Sequence, residues 1–149
     1  MLKDVLIELY ERDLNKLKTE IEQFADEADL WQTSGEITNS GGNLCLHLTG
    51  NLKHFIGAVL GGSGYVRDRD AEFSSTGVSK EAMLADIGST AAVVKNSLEK
   101  LTEVDFAKIY PIEVFGHSMT TAFFLVHLTT HFNYHLGQIN YHRRLLSDG

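Results

Sequence analysis

At 149 residues, with 43% hydrophobic and 22% charged side chains, the chain is about one domain long and of ordinary soluble composition. A net charge of −7 disfavours nucleic acid, whose phosphates require a basic surface, and the single cysteine, Cys45, excludes an intrachain disulfide framework or a cysteine-rich zinc site. No apolar run reaches the roughly 18–20 residues that span a bilayer, and the opening MLKDVLIELYERDLNKLK lacks a signal-peptide pattern, so the expectation is a cytoplasmic protein without a membrane partner.

The first helix is expected from about Leu2 to Ala28, with Leu6, Leu9, Leu14, Leu17, Ile21 and Phe24 near one side and Lys and Glu on the other. TSGEITNSGG then breaks the periodicity and reads as a connection. A second helix follows from about Asn43 to Leu60, capped by Asn43 or Gly42, and apolar nearly all round, as a central helix would be. GGSGYVRDRDAEFSSTG reads as a loop of about seventeen residues, a length that suits a lid or binding loop. Ser79 is the expected N-cap of the third helix, whose small residues in GSTAAVV suit close packing and a homodimer. The segment 102–119 is a connection with short extended pieces, and Thr120 or Thr121 opens a fourth helix to about Leu146. With a single proline in the chain, four long helices predict an all-α four-helix bundle of one domain, residues 1–149.

Four of the seven histidines fall in HLTTHFNYHLGQINYH, His127 to His142. At about 100° per residue, taking His127 as zero, His131 lies at about 40°, His135 at about 80°, His142 at about 60° and Gln138 at about 20°. Leu125, Phe132, Leu136 and Ile139 occupy the adjoining face at about 120° to 180°. His131 and His135, one turn apart, can direct two imidazoles at one divalent ion. The second helix offers His47 or His54 as a third ligand, with Asn51 between them on the same face. Cys45 lies about 160° from His47 and reads as a buried core thiol. His117, in the connection, reads as a solvated or capping residue. The bland alternative for the stripe is a set of hydrogen-bonded core histidines. There is no HExxH and no Glu-x-x-His, against zincin peptidases and di-iron bundles, and no nucleophile elbow or phosphate loop.

LHLTGNLKHFIGAVLGGSGYVRDRDAEF and HLTTHFNYHLGQINYHRRLL, with the first helix LYERDLNKLKTEIEQFADEADLW, resemble the DinB-like (YfiT-like) superfamily of metal-dependent four-helix proteins, within a subfamily of unknown function. The resemblance implies that three histidines from the second and fourth helices hold one divalent metal. The fourth-helix pair is then His131 and His135. The second-helix ligand is His47, in LHLTG, with His54 as its rival. It also implies chemistry of the kind found among thiol-dependent transferases and isomerases, with a low-molecular-weight thiol as substrate or cofactor.

Three imidazoles leave positions open on the ion, the pattern of a catalytic site, and suit zinc or nickel, with iron or copper as further options. A thiol transferase or a hydrolase acting on a small molecule is the functional expectation. Asn51 is placed to orient a ligating imidazole, Gln138 to hold a ligand or substrate, and His127 and His142 to line the site or stand behind it. Tyr65, Arg67 and Arg69 either cover the site and bind an anionic substrate or form a solvated charge cluster. The contrasting reading is a non-catalytic homodimeric stress-related bundle, with a vestigial site or a histidine pH switch.

Overall fold

The helical periodicity of the long segments is realised as helix in the computed structural model, which describes residues 1–148. The described chain is all-α, with six helices: α1 (Leu2–Glu22), α2 (Gly41–Leu52), α3 (Arg69–Ser74), α4 (Lys80–Glu99), α5 (Glu103–Ala107) and α6 (Thr121–Asp148). The extended structure among these residues consists of two isolated antiparallel bridges, Ser34 with Ile37 and Ile109 with Thr120. No described helix is long and apolar enough to cross a membrane.

α1 buries Leu6, Tyr10, Leu14, Leu17 and Ile21, a spacing of three and four that keeps one face on the core. It lies against α4 and α6. Polar groups fix its register on α6: Tyr10 donates to the Leu125 carbonyl at 2.7 Å, and Asn133 donates to the buried Asp13 at 2.7 Å. α1 ends at Glu22, short of the expected Ala28. Asp26 starts a separate 3-10 turn, Glu27–Trp31, by accepting the Ala28 N–H on its side chain at 3.0 Å.

α2 is buried on nearly every side, as its all-round apolar sequence predicts, and packs against α4 and α6. Its cap is Ser40, whose Oγ accepts the Asn43 N–H at 3.1 Å, and not Asn43 or Gly42. Asn43 is buried and instead donates to the carbonyls of Glu72 at 3.0 Å and Ser75 at 2.8 Å, clamping α3 onto α2. The regular helix stops at Leu52, and Lys53–Ala58 winds as a π-helix with Val59 N–H bonded to the His54 carbonyl at 3.0 Å. A five-residue step widens the turn and breaks the 100° phase that relates residues on its two sides.

The expected seventeen-residue loop contains α3. Asp68 nucleates it by accepting the Ala71 N–H at 3.1 Å, and Asp70 and Glu72 complement the first turn. Ser79 caps α4 as predicted, with the Ala82 N–H at 3.0 Å. The segment before α6 carries α5, capped by Thr102, and then pairs back on itself: Tyr110 N–H bonds the Met119 carbonyl at 2.9 Å and Thr121 N–H the Lys108 carbonyl at 2.8 Å. Thr120 accepts the Phe123 N–H at the start of α6 at 3.1 Å. Cys45 is buried in the core, and burial pushes its thiol far above the ordinary range, so it is unreactive.

Candidate metal centre

α6 runs unbroken through its histidines, so His131 and His135 sit one turn apart with ring centroids separated by 4.7 Å. α2 sets His47 against both, its ring 5.0 Å from His131 and 5.3 Å from His135. One nitrogen from each of the three lies within 4.8 Å of the others. The Nε2 atoms of His47 and His131 face one another at 3.1 Å. Two lone pairs repel at that distance, so a proton or a cation has to lie between them. Two nitrogens each about 2.0–2.1 Å from one zinc ion stand roughly 3–3.4 Å apart, so the His47–His131 spacing fits a divalent ion, and three imidazoles are a donor set that suits one.

Two of the three outward nitrogens, those of His47 and His135, are held by hydrogen-bond partners as ligating imidazoles usually are. His47 Nδ1 donates to Glu72 Oε1 at 3.0 Å, which leaves its Nε2 lone pair facing the centre. Arg67 grips the same carboxylate, Nε to Oε2 at 2.9 Å and Nη2 to Oε1 at 3.0 Å. Burial alone would raise the Glu72 carboxyl, but hydrogen bonds from His47 and Arg67 hold it below the usual carboxylate range, so it stays an acceptor. Gly50 makes room for it: a Cβ there would run into the Glu72 carboxylate. His135 Nδ1 lies 2.7 Å from Gln138 Oε1, so it too donates outward. His131 Nδ1 is buried without a hydrogen-bond partner among the described residues.

Electrostatics keeps the α6 pair in the metal-ready form. Burial, followed by the nearby His135 and His47, pushes His131 down to about 4. Burial lowers His135 as well, with His47 adding to it and the Gln138 contact opposing. Neutral imidazole is the ligating species.

Beside His47 and His131 opens a cavity of about 300 Å³, walled by Phe55, Phe115, Phe124 and Leu128. Asn51, Arg67, Arg69 and His127 supply its remaining polar surface. A larger cavity, about 560 Å³, lies on the other side of Gln138 toward His142 and includes none of the three clustered histidines.

The other singled-out residues separate cleanly. His54 lies on the π-helical segment with its ring edge-on to Phe55 and is not part of the cluster. Asn51 lines the cavity, but the orienting bond to His47 comes from Glu72. Gln138 orients His135. His127 lines the cavity, its ring stacked on Phe124 and edge-on to Phe115. His142 leaves the site altogether: it is buried and its Nε2 bonds the Gln32 carbonyl at 2.8 Å. It shares an angle with the pair, but seven residues of α-helix place it about 10 Å along the axis from His135. His117 is exposed and bonds the Ser118 carbonyl at 3.1 Å. Arg67 is half-buried in its ion pair with Glu72, while Arg69 is exposed. Tyr65 carries the Lys53 ammonium over its ring at 4.8 Å and does not line this cavity.

Glu72 is the residue that sequence reasoning missed. It lies 25 positions from His47, so no single-helix spacing reveals the pair. Its available signals were indirect: an Asp cap at Asp68 announcing a short helix, and a side-chain-free Gly50 one turn beyond His47.

A family model described as a protein of unknown function (DUF1572) matches residues 3–149, nearly the whole chain. No curated protein matches it significantly.

Proposed function

The chain belongs to the DUF1572 family, and on that premise we propose that it is a divalent-metal protein whose ion is held by His47, His131 and His135. We read the four longer helical stretches as a DinB-like four-helix bundle of a single domain, built so that its second and fourth long helices meet at this centre. The observation that carries the reading is the convergence of three imidazoles with His47 and His135 held outward by Glu72 and Gln138. A chance cluster has no need of such partners.

A zinc or nickel ion held by three imidazoles supplies Lewis-acid chemistry, lowering the pKa of a water or thiol at its open positions. The chain's own contributions are these. Glu72 fixes the tautomer and tilt of His47, and Arg67 keeps that carboxylate ionised and aimed. Gln138 does the same for His135 from the opposite side. Phe55, Phe124 and Leu128 exclude water from one flank, and the open cavity admits a small molecule. His127, on the cavity wall, is placed to exchange a proton with a substrate group there. A thiol transferase or a hydrolase acting on a small molecule is the activity this arrangement suits.

The test is elemental analysis of tag-free protein with His47→Ala, His54→Ala and His135→Ala variants. About one metal per chain, lost with His47→Ala and His135→Ala and kept with His54→Ala, is the expected result. A wild-type protein that takes up neither zinc nor nickel on titration refutes the proposal, and the direct His47–His131 contact would then be the metal-free protein's own hydrogen bond.

A further inference from the structure

We propose that the cavity beside the three histidines takes a small organic anion with an apolar body about the size of an aromatic ring, its carboxylate held by Arg69. This rests on reading that cavity as the substrate side of the metal centre, and it names the class of substrate.

The charge pattern of the wall carries the inference. The chain is acidic, with 20 Asp and Glu against 13 Lys and Arg, yet no carboxylate lines this cavity. Two arginines do. Arg67 is already matched, since both of its contacting nitrogens go to Glu72. Arg69 is not matched: no carboxylate of the described residues reaches ion-pair distance of it. Its sequence neighbours do not fill that role. Asp68 turns back to cap α3 through the Ala71 N–H at 3.1 Å, and neither Asp68 nor Asp70 lines the cavity.

Arg69 is nevertheless placed. Its guanidinium lies over the Phe73 ring at 5.2 Å, an arrangement that restrains the side chain while leaving its N–H fork free for a planar, two-oxygen acceptor. The Arg67 guanidinium lies over the Phe55 ring at 5.7 Å, Phe55 and Phe124 meet edge to face at 5.1 Å, and Phe115 closes against His127 at 4.9 Å. Such walls favour an apolar ring and offer little to a sugar or a peptide backbone. A volume of about 300 Å³ stands at the small end of ligand cavities, which limits the occupant to a small molecule. Charge, shape and size therefore agree on one class.

The test uses the tag-free full chain, metal-free and zinc-loaded, titrated calorimetrically with 3-phenylpropionate and with its uncharged amide, 3-phenylpropanamide. Carboxylate binding about tenfold or more tighter than the amide in both preparations is expected, from the strength of charge-assisted hydrogen bonds. Arg69→Gln should remove that preference, and Arg69→Lys should restore part of it. Equal binding of the two probes, or no binding of either, overturns the inference. So does a preference that appears only with zinc and survives Arg69→Gln, because the ion and not Arg69 would then hold the carboxylate. A zinc titration of the same samples separates the two claims: failure of zinc uptake refutes the metal centre, while the metal-free arm still reports on Arg69.

Discussion

Two helices carry the clustered histidines, and they obey different rules. α6 keeps one α-helical phase for 28 residues, so the four-residue spacing of His131 and His135 translates directly into stacked rings. Helix two changes winding at Leu52, and its two histidines, seven residues apart, belong to different backbone geometries. His47 lies in the regular turns and meets the pair; His54 lies beyond the change and turns to Phe55. A spacing argument is therefore only as good as the regularity of the backbone between the residues. The two helices also differ in support. His47 is backed by an ionised, buried carboxylate, and His135 by an exposed amide.

The sharpest way to break this comparison is to remove the ligands. His131→Ala or His47→Ala should abolish stoichiometric zinc binding, a loss of at least ~100-fold in affinity, whereas His54→Ala should leave it unchanged. Competition with a chromophoric chelator measures all three, and zinc loss on His54→Ala would place the second-helix ligand on the wrong side of the π segment.

The next effect is in the support. Glu72→Gln should weaken zinc binding by roughly 10–100-fold, as removal of a carboxylate behind a ligating imidazole does. Gly50→Ala should act in the same direction, because its new Cβ would displace the Glu72 carboxylate. Gln138→Ala should fall at the low end, about tenfold or less, its amide being exposed. If Gln138→Ala proves more damaging than Glu72→Gln, the assigned asymmetry between the two supports is reversed.

Acid should weaken the metal-free fold through the α6 pair. A free imidazole titrates near 6.5, and His131 in the fold is pushed down to about 4. The unfolded chain thus takes up the proton first, so His131's contribution to stability is fully present above about pH 6.5 and is lost as pH falls through 4. His135, lowered as well, adds to the same trend. Urea midpoints of metal-free protein should fall between pH 7 and 4.5, with a shallower slope in His131→Gln. A midpoint that rises on acidification would contradict the neutral, buried state of the pair.

The smallest expected effect on metal lies at His142. His142→Ala should cost about 1 kcal/mol of stability through its lost bond to the Gln32 carbonyl, while zinc affinity stays at the wild-type value. Altered zinc affinity would bring this histidine back toward the site.

How far all this can be read from the sequence depends on the range of the interaction. The long amphipathic helices, the Ser79 cap and the His131–His135 pair are local consequences of side-chain period and could be read directly. The angular stripe groups residues by direction only, and angle does not register axial distance, so it set His142 beside the pair although its Nε2 bonds the Gln32 carbonyl. The π segment, which buries Ile56 and Gly57, leaves no periodic trace in the sequence. Glu72 was hidden for a third reason: a short helix capped by Asp68 and clamped by Asn43 folds what reads as a loop back onto α2. Long-range polar partners of this kind emerge only when the elements are assembled.

The central claim is that three imidazoles from two helices share one ion. X-ray absorption at the zinc edge, on tag-free protein loaded with one equivalent, tests it most directly. Three imidazole nitrogens at about 2.0–2.1 Å, falling to two in His47→Ala and staying at three in His54→Ala, is the predicted result. Fewer than three in the wild type, or a spectrum unchanged by His47→Ala, would contradict it.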